Sequence, residues 1–144
     1  MPAPGKLSIV VFSGAYDRVH YALMLASSAV SIGRTATLFF TMEAIRALGA
    51  PTADGKPGWT RLAPCEDGAA PAERDARHAA SGIATFEALI EACRDLGAEF
   101  IVCEAGLRAI GLARADLRTD LALAEAGIVT FLTGCAEDGQ IVFV

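Results

Sequence analysis

The chain has little histidine and cysteine, the usual ligands of zinc. It has two histidines and four cysteines in 144 residues. Cys65, Cys93, Cys103 and Cys135 form no C-x-x-C pair, and neither His20 nor His78 stands at a zinc-site spacing. No zinc site is expected from that spacing, and the four thiols are expected to be free, as in a reducing compartment. Positive charge is also scarce. Lys and Arg number 12 against 17 Asp and Glu, giving a net charge of −5. No basic stripe interleaved with aromatics is present, which argues against a nucleic-acid partner.

Long hydrophobic runs are missing as well. The longest stretch without a charge, residues 19–33, is shorter than the roughly 20 residues a bilayer demands and contains His20 and three serines. No membrane span is expected. The first residues lack a basic segment leading into a long apolar one, so the protein is read as cytoplasmic. No G-x-G-x-x-G, G-x-x-x-x-G-K-[ST] or G-x-S-x-G motif occurs, so neither a nucleotide cofactor nor a serine-hydrolase elbow is supported. No repeat is visible.

Apolar residues, by contrast, are abundant, at 53% of the chain with positive mean hydropathy. The length suits one domain, taken as 1–144, and the apolar excess is high for a soluble monomer. A homo-oligomer that hides surface is the expectation.

Residues 7–12 and 35–41 are near-continuous β-branched and aromatic runs, the pattern of strands buried on both faces of a parallel sheet. A helix from about Asp17 to Ile32, closed by Gly33, separates them. Its side bearing His20, Tyr21, Met24, Ser27, Ser28 and Ser31 is polar yet nearly uncharged, which suggests cover by another subunit. A short helix comes next over 42–48. Residues 49–82, rich in Pro and Gly, read as a long loop insertion with one potential helix at 72–80, and Trp59 is expected to pack that loop down. An amphipathic helix begins at Thr85 and sets Cys93 on its core face. A strand ending at Cys103 comes after it, then a short helix to Gly111 and an irregular segment. A helix at 121–126, a fourth strand at 128–132 and a fifth, edge strand at 140–144 complete the reading. Alternating β and α units argue for an α/β fold with right-handed crossovers.

Cys103 is the principal candidate for chemistry. It closes a strand and opens a helix, at the sheet edge where ligands gather in open α/β folds. Amide groups of the succeeding turn favour a thiolate, and the adjacent Glu104 opposes it. The competing reading is that Cys103 is packing, since unpaired cysteine is among the most buried residue types. His20 and His78 are read as surface or core residues rather than as partners of a nucleophile.

The order of elements and several strings resemble the DsrE/DsrF-like family of small sulfur-relay proteins. Ile9 to Gly14, then Ala22, Ala26, Ala29, Gly33 and Leu38-Phe39-Phe40-Thr41, are similar to its first strand, alanine-rich helix and second strand. Residues 87–103 resemble the helix and strand that lead to its sulfur-carrying cysteine, and residues 111–117 and 127–132 resemble the family's segments beyond that cysteine. The family branch in question has a C-x-M-S-M-x-x-M-G run. Here Cys103 and Gly111 keep the ends and every methionine is replaced. The resemblance implies a three-layer α/β/α sandwich with a mostly parallel five-stranded sheet, a homo-oligomer, and sulfur donor and acceptor proteins as partners. It also implies that Cys103 carries sulfane sulfur as a persulfide, with no metal or organic cofactor. Cys135, in the turn after the expected fourth strand, is a possible second thiol at the same edge, and Cys65 is the next. Ser13 and Thr41 end neighbouring strands there and are placed to donate hydrogen bonds to the sulfur. The alternatives are a small-ligand-binding or regulatory module, and a thiol redox sensor.

Overall fold

The apolar runs become the centre of one sheet. β1 (Leu7–Val11), β2 (Ala36–Phe40) and β3 (Glu99–Cys103) are flanked by β4 (Leu123–Ala126) and β5 (Gln140–Phe143) in a computed structural model, which describes residues 5–144. The order is β4-β3-β2-β1-β5, and every neighbouring pair is parallel. The molecule is thus an α/β sandwich with an all-parallel sheet, where the sequence suggested a mostly parallel one.

Local chemistry sets the helix ends. α1 (Tyr16–Ser31) has Asp17 in its first turn, and Gly33 closes it at φ +88°, a conformation that costs a glycine little. α3 (Phe86–Asp95) starts at Thr85, whose side chain accepts from the Ala88 amide. Both pack on one face of the sheet, together with a 3-10 turn at Met42–Leu48 and the short α4 (Glu104–Ala109).

Strand alternation then divides the interior in two. Ile9, Val11, Leu38, Phe40, Phe100 and Val102 enter the large core with Leu23, Ala26 and Ile90. Phe39, Ile101 and Cys103 point to the other face, where they meet Phe131 in a small separate core. Phe131 belongs to α5 (Ile128–Thr133), and its ring stacks on Phe39 with centroids 4.6 Å apart.

The sequence expectation for residues 121–132 is reversed here. The stretch expected to be helical contains β4, and the expected fourth strand is α5. Pairing decides this outcome. Leu123 to Ala126 lie in register with Phe100 to Cys103, and that ladder overrides the helical preference of Leu, Ala and Glu. The chain must then cross from β4 at one sheet edge to β5 at the other, and α5 makes the crossing over the far face.

Residues 49–82 are more ordered than a loop reading implies. They hold a 3-10 turn at Gly58–Arg61 and α2 (Pro71–Ala80). Ala63 exchanges backbone bonds with the start of α1, donating to the Gly14 carbonyl at 2.8 Å and accepting from the Tyr16 amide at 3.1 Å. Trp59 is buried against Phe86 and Tyr16, with centroids 5.2 and 5.7 Å away. Among the described residues no helix is long and apolar enough to cross a membrane.

The segments that follow β2 and β3 meet at Gly106. A Cβ built there would lie 2.7 Å from the Met42 amide nitrogen and 2.9 Å from Ile45 Cδ1. Backbone cannot yield as a side chain does, so Gly106→Ala is expected to cost about 1–3 kcal/mol in urea unfolding. Gly134→Ala, whose added Cβ meets only ordinary contacts from 3.4 Å outward, is the control and is expected within about 0.5 kcal/mol of the parent. Equal stability of the two variants would contradict this packing.

Candidate functional site

Cys103 is the last residue of β3 and the N-cap of α4, so strand passes into helix with no loop between. The strand's parity turns its side chain away from the large core and onto Phe39, Ile101 and Phe131. Its Sγ accepts from the Gly106 amide at 3.4 Å. The residue is 5% exposed, so the thiol is walled by apolar side chains and touched by one backbone donor. Gly106 allows that turn to sit directly on Thr41 and Met42, whose φ of +51° is left-handed for a residue with a side chain. Such backbone strain is often held in place near functional sites.

The neighbours named from the sequence fall differently. Ser13 Oγ accepts from the Ala15 amide at 3.2 Å and closes its own turn. Thr41 is buried beside Gly106, with its Oγ1 3.0 Å from the Cβ that an alanine there would carry. The hydrogen bond found at Cys103 Sγ comes from Gly106 rather than from either hydroxyl.

The four cysteines are free thiols in four settings. Cys93 is fully buried, donates to the Leu23 carbonyl at 3.7 Å, and burial pushes its thiol up to about 12. Cys65 is buried in the 49–82 segment. Burial and then the Asp17 charge raise its pKa, against the pull of the Arg74 guanidinium. Cys135 is half-buried and shares the small core with Cys103. It does not come after a fourth strand, because 128–132 is helical. Instead α5 carries the chain back toward the amino edge of the sheet, where the Gly134 carbonyl accepts from Lys6 Nζ at 3.0 Å. Cys135 therefore does not stand at the carboxyl edge that the sequence suggested for it, since the strand that would have put it there is replaced by a helix.

Two polar arrangements have no counterpart in the sequence reading. Arg118 binds Glu87 through Nη1 and Nη2 at 2.9 and 3.0 Å, and reaches Asp120 through Nε at 2.7 Å. The same Glu87 accepts from Trp59 Nε1 at 3.0 Å, so this clamp ties the 49–82 segment to α3. On the other side of Trp59, Tyr16 donates to Asp75 at 2.5 Å, and His20 lies under His78 with ring centroids 4.4 Å apart. Burial, then the Asp75 bond, hold the Tyr16 phenol well above its ordinary range. Local patterns of charge and aromatics do not mark these pairs, whose members lie far apart in the chain.

Clefts of about 370, 560 and 340 Å3 open among the 49–82 segment, residues 112–120 and α1, and Cys103 lines none of them. Among the described residues no group of three or more His, Cys, Asp or Glu is arranged to hold a metal ion. No protein-family model matches the chain, and no curated protein matches it.

The thiol settings have a direct consequence. A thiol near 12 has about a thousandfold less thiolate at neutral pH than an unperturbed one. In the folded protein Cys93 is expected to react with iodoacetamide at least about a thousandfold more slowly than in urea. Labelling of Cys93 as fast as that of half-buried Cys135 would contradict the structure.

Proposed function

We propose that the chain is a sulfur carrier of the DsrE/DsrF-like kind, holding sulfane sulfur on Cys103. The observation that carries the reading is the position of that thiol. It ends a central strand, takes the Gly106 amide, and is walled by Phe39, Ile101 and Phe131. The amide donates to the sulfur, and the apolar wall shields a persulfide from water and oxidants. The Cys103 thiolate attacks the outer sulfur of a donor persulfide, and the donor leaves as its thiolate. A persulfide on Cys103 results, and attack by an acceptor thiolate on its outer sulfur regenerates Cys103. Each step exchanges one S–S bond for another, so no outside oxidant or reductant enters. The Cys103 thiol is nearly closed off, so the donor reaches it once a covering element yields. α5 is the weaker cover, because it buries Phe131 while Ile128, Val129 and Leu132 remain exposed.

A homo-oligomer belongs to the same reading. A parallel sheet is ordinarily covered on both faces. Here the far side of β1 and β5 leaves Ile141 and Phe143 bare, with Phe143 68% exposed and Val129 of α5 71% exposed. A second copy of the chain on this face would cover them. The uncharged side of α1 is a poorer candidate, because His20 already lies beneath α2. A ligand-binding module is the second reading, favoured by the clefts that open away from Cys103.

Two measurements test the proposal. After exposure to polysulfide, intact mass is expected to rise by one sulfur, reversibly with dithiothreitol, in the parent and not in Cys103→Ser. A parent that gains no sulfur, or a variant that still gains it, favours the ligand-binding module. By light scattering at low micromolar concentration the parent is expected to exceed one chain in mass, and Val129→Glu with Phe143→Glu to fall to one chain. A parent of single-chain mass would remove the oligomer.

A further inference from the structure

α2 is fastened to the body by polar side chains. Pro71 is the buried residue of that helix, and Arg74, Asp75 and His78 make its contacts with the rest of the chain. Next to those contacts a cleft of about 340 Å3 opens between α1 and α2. Its polar wall is Asp17, His20, Arg74 and His78, and its apolar wall is Tyr21, Met24 and Ile83. That volume lies in the range of small-ligand sites, and the pairing of a few convergent polar groups with apolar lining is their usual composition.

The polar wall has hydrogen-bonding capacity that the chain leaves unused. Arg74 reaches Asp67 through Nη2, while its Nε is buried with no partner. The Arg74 side chain as a whole stays 27% exposed, so its guanidinium is reachable from the cleft. The nearby Cys65 thiol is a poor acceptor, because burial keeps it protonated. His20 donates through Nε2 to the Ala84 carbonyl at 2.9 Å. His78 stacks on His20 and Tyr16 and lines the cleft.

We propose that the α1–α2 cleft binds a small organic monoanion, a carboxylate on a compact apolar or aromatic body, and that His78 takes up a proton as it binds. The carboxylate meets Arg74 and His78, and the body rests on Tyr21, Met24 and Ile83. The acidic groups around the cleft already have donors of their own. Asp17 accepts from the Arg18 and Glu66 amides at 3.1 and 3.0 Å. Asp75 accepts from the Tyr16 hydroxyl and the Phe86 amide. Asp67 partly offsets the Arg74 charge, and protonated His78 adds the positive charge that varies with pH.

Proton uptake by His78 gives the binding its pH dependence. In the free protein burial, then the neighbouring His20 and Arg74, hold the His78 pKa below its ordinary value against the opposing pull of the Asp75 carboxylate. A bound anion stabilises the imidazolium and raises it. The complex therefore holds more protons than the free protein between those two pKa values. Affinity grows as pH falls through that window and levels off below it. Cys103 does not line this cleft, so anion binding there is independent of sulfur transfer.

Calorimetry on the full chain with benzoate, acetate and inorganic phosphate tests it. Benzoate, ionised throughout, is expected to bind about tenfold more tightly near pH 6 than near pH 8, with uptake of up to one proton. Acetate is expected to bind more weakly, because it lacks the body. His78→Phe keeps a stacking ring and is expected to lose the pH dependence, and Arg74→Met to lose binding altogether. Absence of benzoate binding at both pH values would overturn the proposal. So would a pH-independent affinity, dependence retained in His78→Phe, or phosphate binding as tightly as benzoate.

Discussion

The alternation of β3 is the constraint that creates the candidate site. Phe100 and Val102 are committed to the large core, so Ile101 and Cys103 must face the opposite side of the sheet. Cys103 consequently never competes with the α1 and α3 packing that stabilises the domain. It stands instead in a small core whose other members are Phe39 and Phe131. Because α4 begins immediately at Glu104, the Gly106 amide reaches back to the sulfur. A shift of one residue in the β3 register would exchange the roles of Val102 and Cys103 and bury the thiol beyond use.

The two faces are covered by unequal material, and that inequality divides the molecule's chemistry. On one side α1, α3 and the 49–82 segment build a deep core and shape clefts lined by Arg74, His78, Arg118 and Asp120. On the other side a single crossing helix supplies Phe131 and leaves apolar neighbours bare. The stacking of Phe131 on Phe39 contributes on the order of 0.5–1.5 kcal/mol beyond area burial. So small a contribution fits a cover that moves more readily than the α1 and α3 layer. The Arg118 clamp does the opposite work on the near side, fixing Trp59 and the 49–82 segment through Glu87.

Much of this is legible in the sequence. β1, β2, β3 and β5, the long α1, the Thr85 start of α3 and the position of Cys103 at a strand end are written in local periodicity and capping residues. The exchange between β4 and α5 is not, because Leu123 to Ala126 favour helix and Ile128 to Leu132 favour strand when read alone. Their states are decided by pairing with β3 and by the need to cross the sheet. Tyr16 with Asp75, and Glu87 with Arg118, are equally hidden, because each pair joins distant residues with no local pattern between them. That Cys103 is walled in, rather than open at an edge, depends on Phe131, which lies in the very segment whose local preference misleads.

Sulfur transfer as proposed requires the sulfur to rest on Cys103 and on none of the other three thiols. Peptide-level mass mapping after one equivalent of polysulfide addresses it most directly. The expected result is a persulfide on the peptide containing Cys103, with the peptides of Cys65, Cys93 and Cys135 unmodified. Sulfur on Cys135 in place of Cys103, or spread evenly over the four thiols, would contradict the account and leave Cys103 as packing.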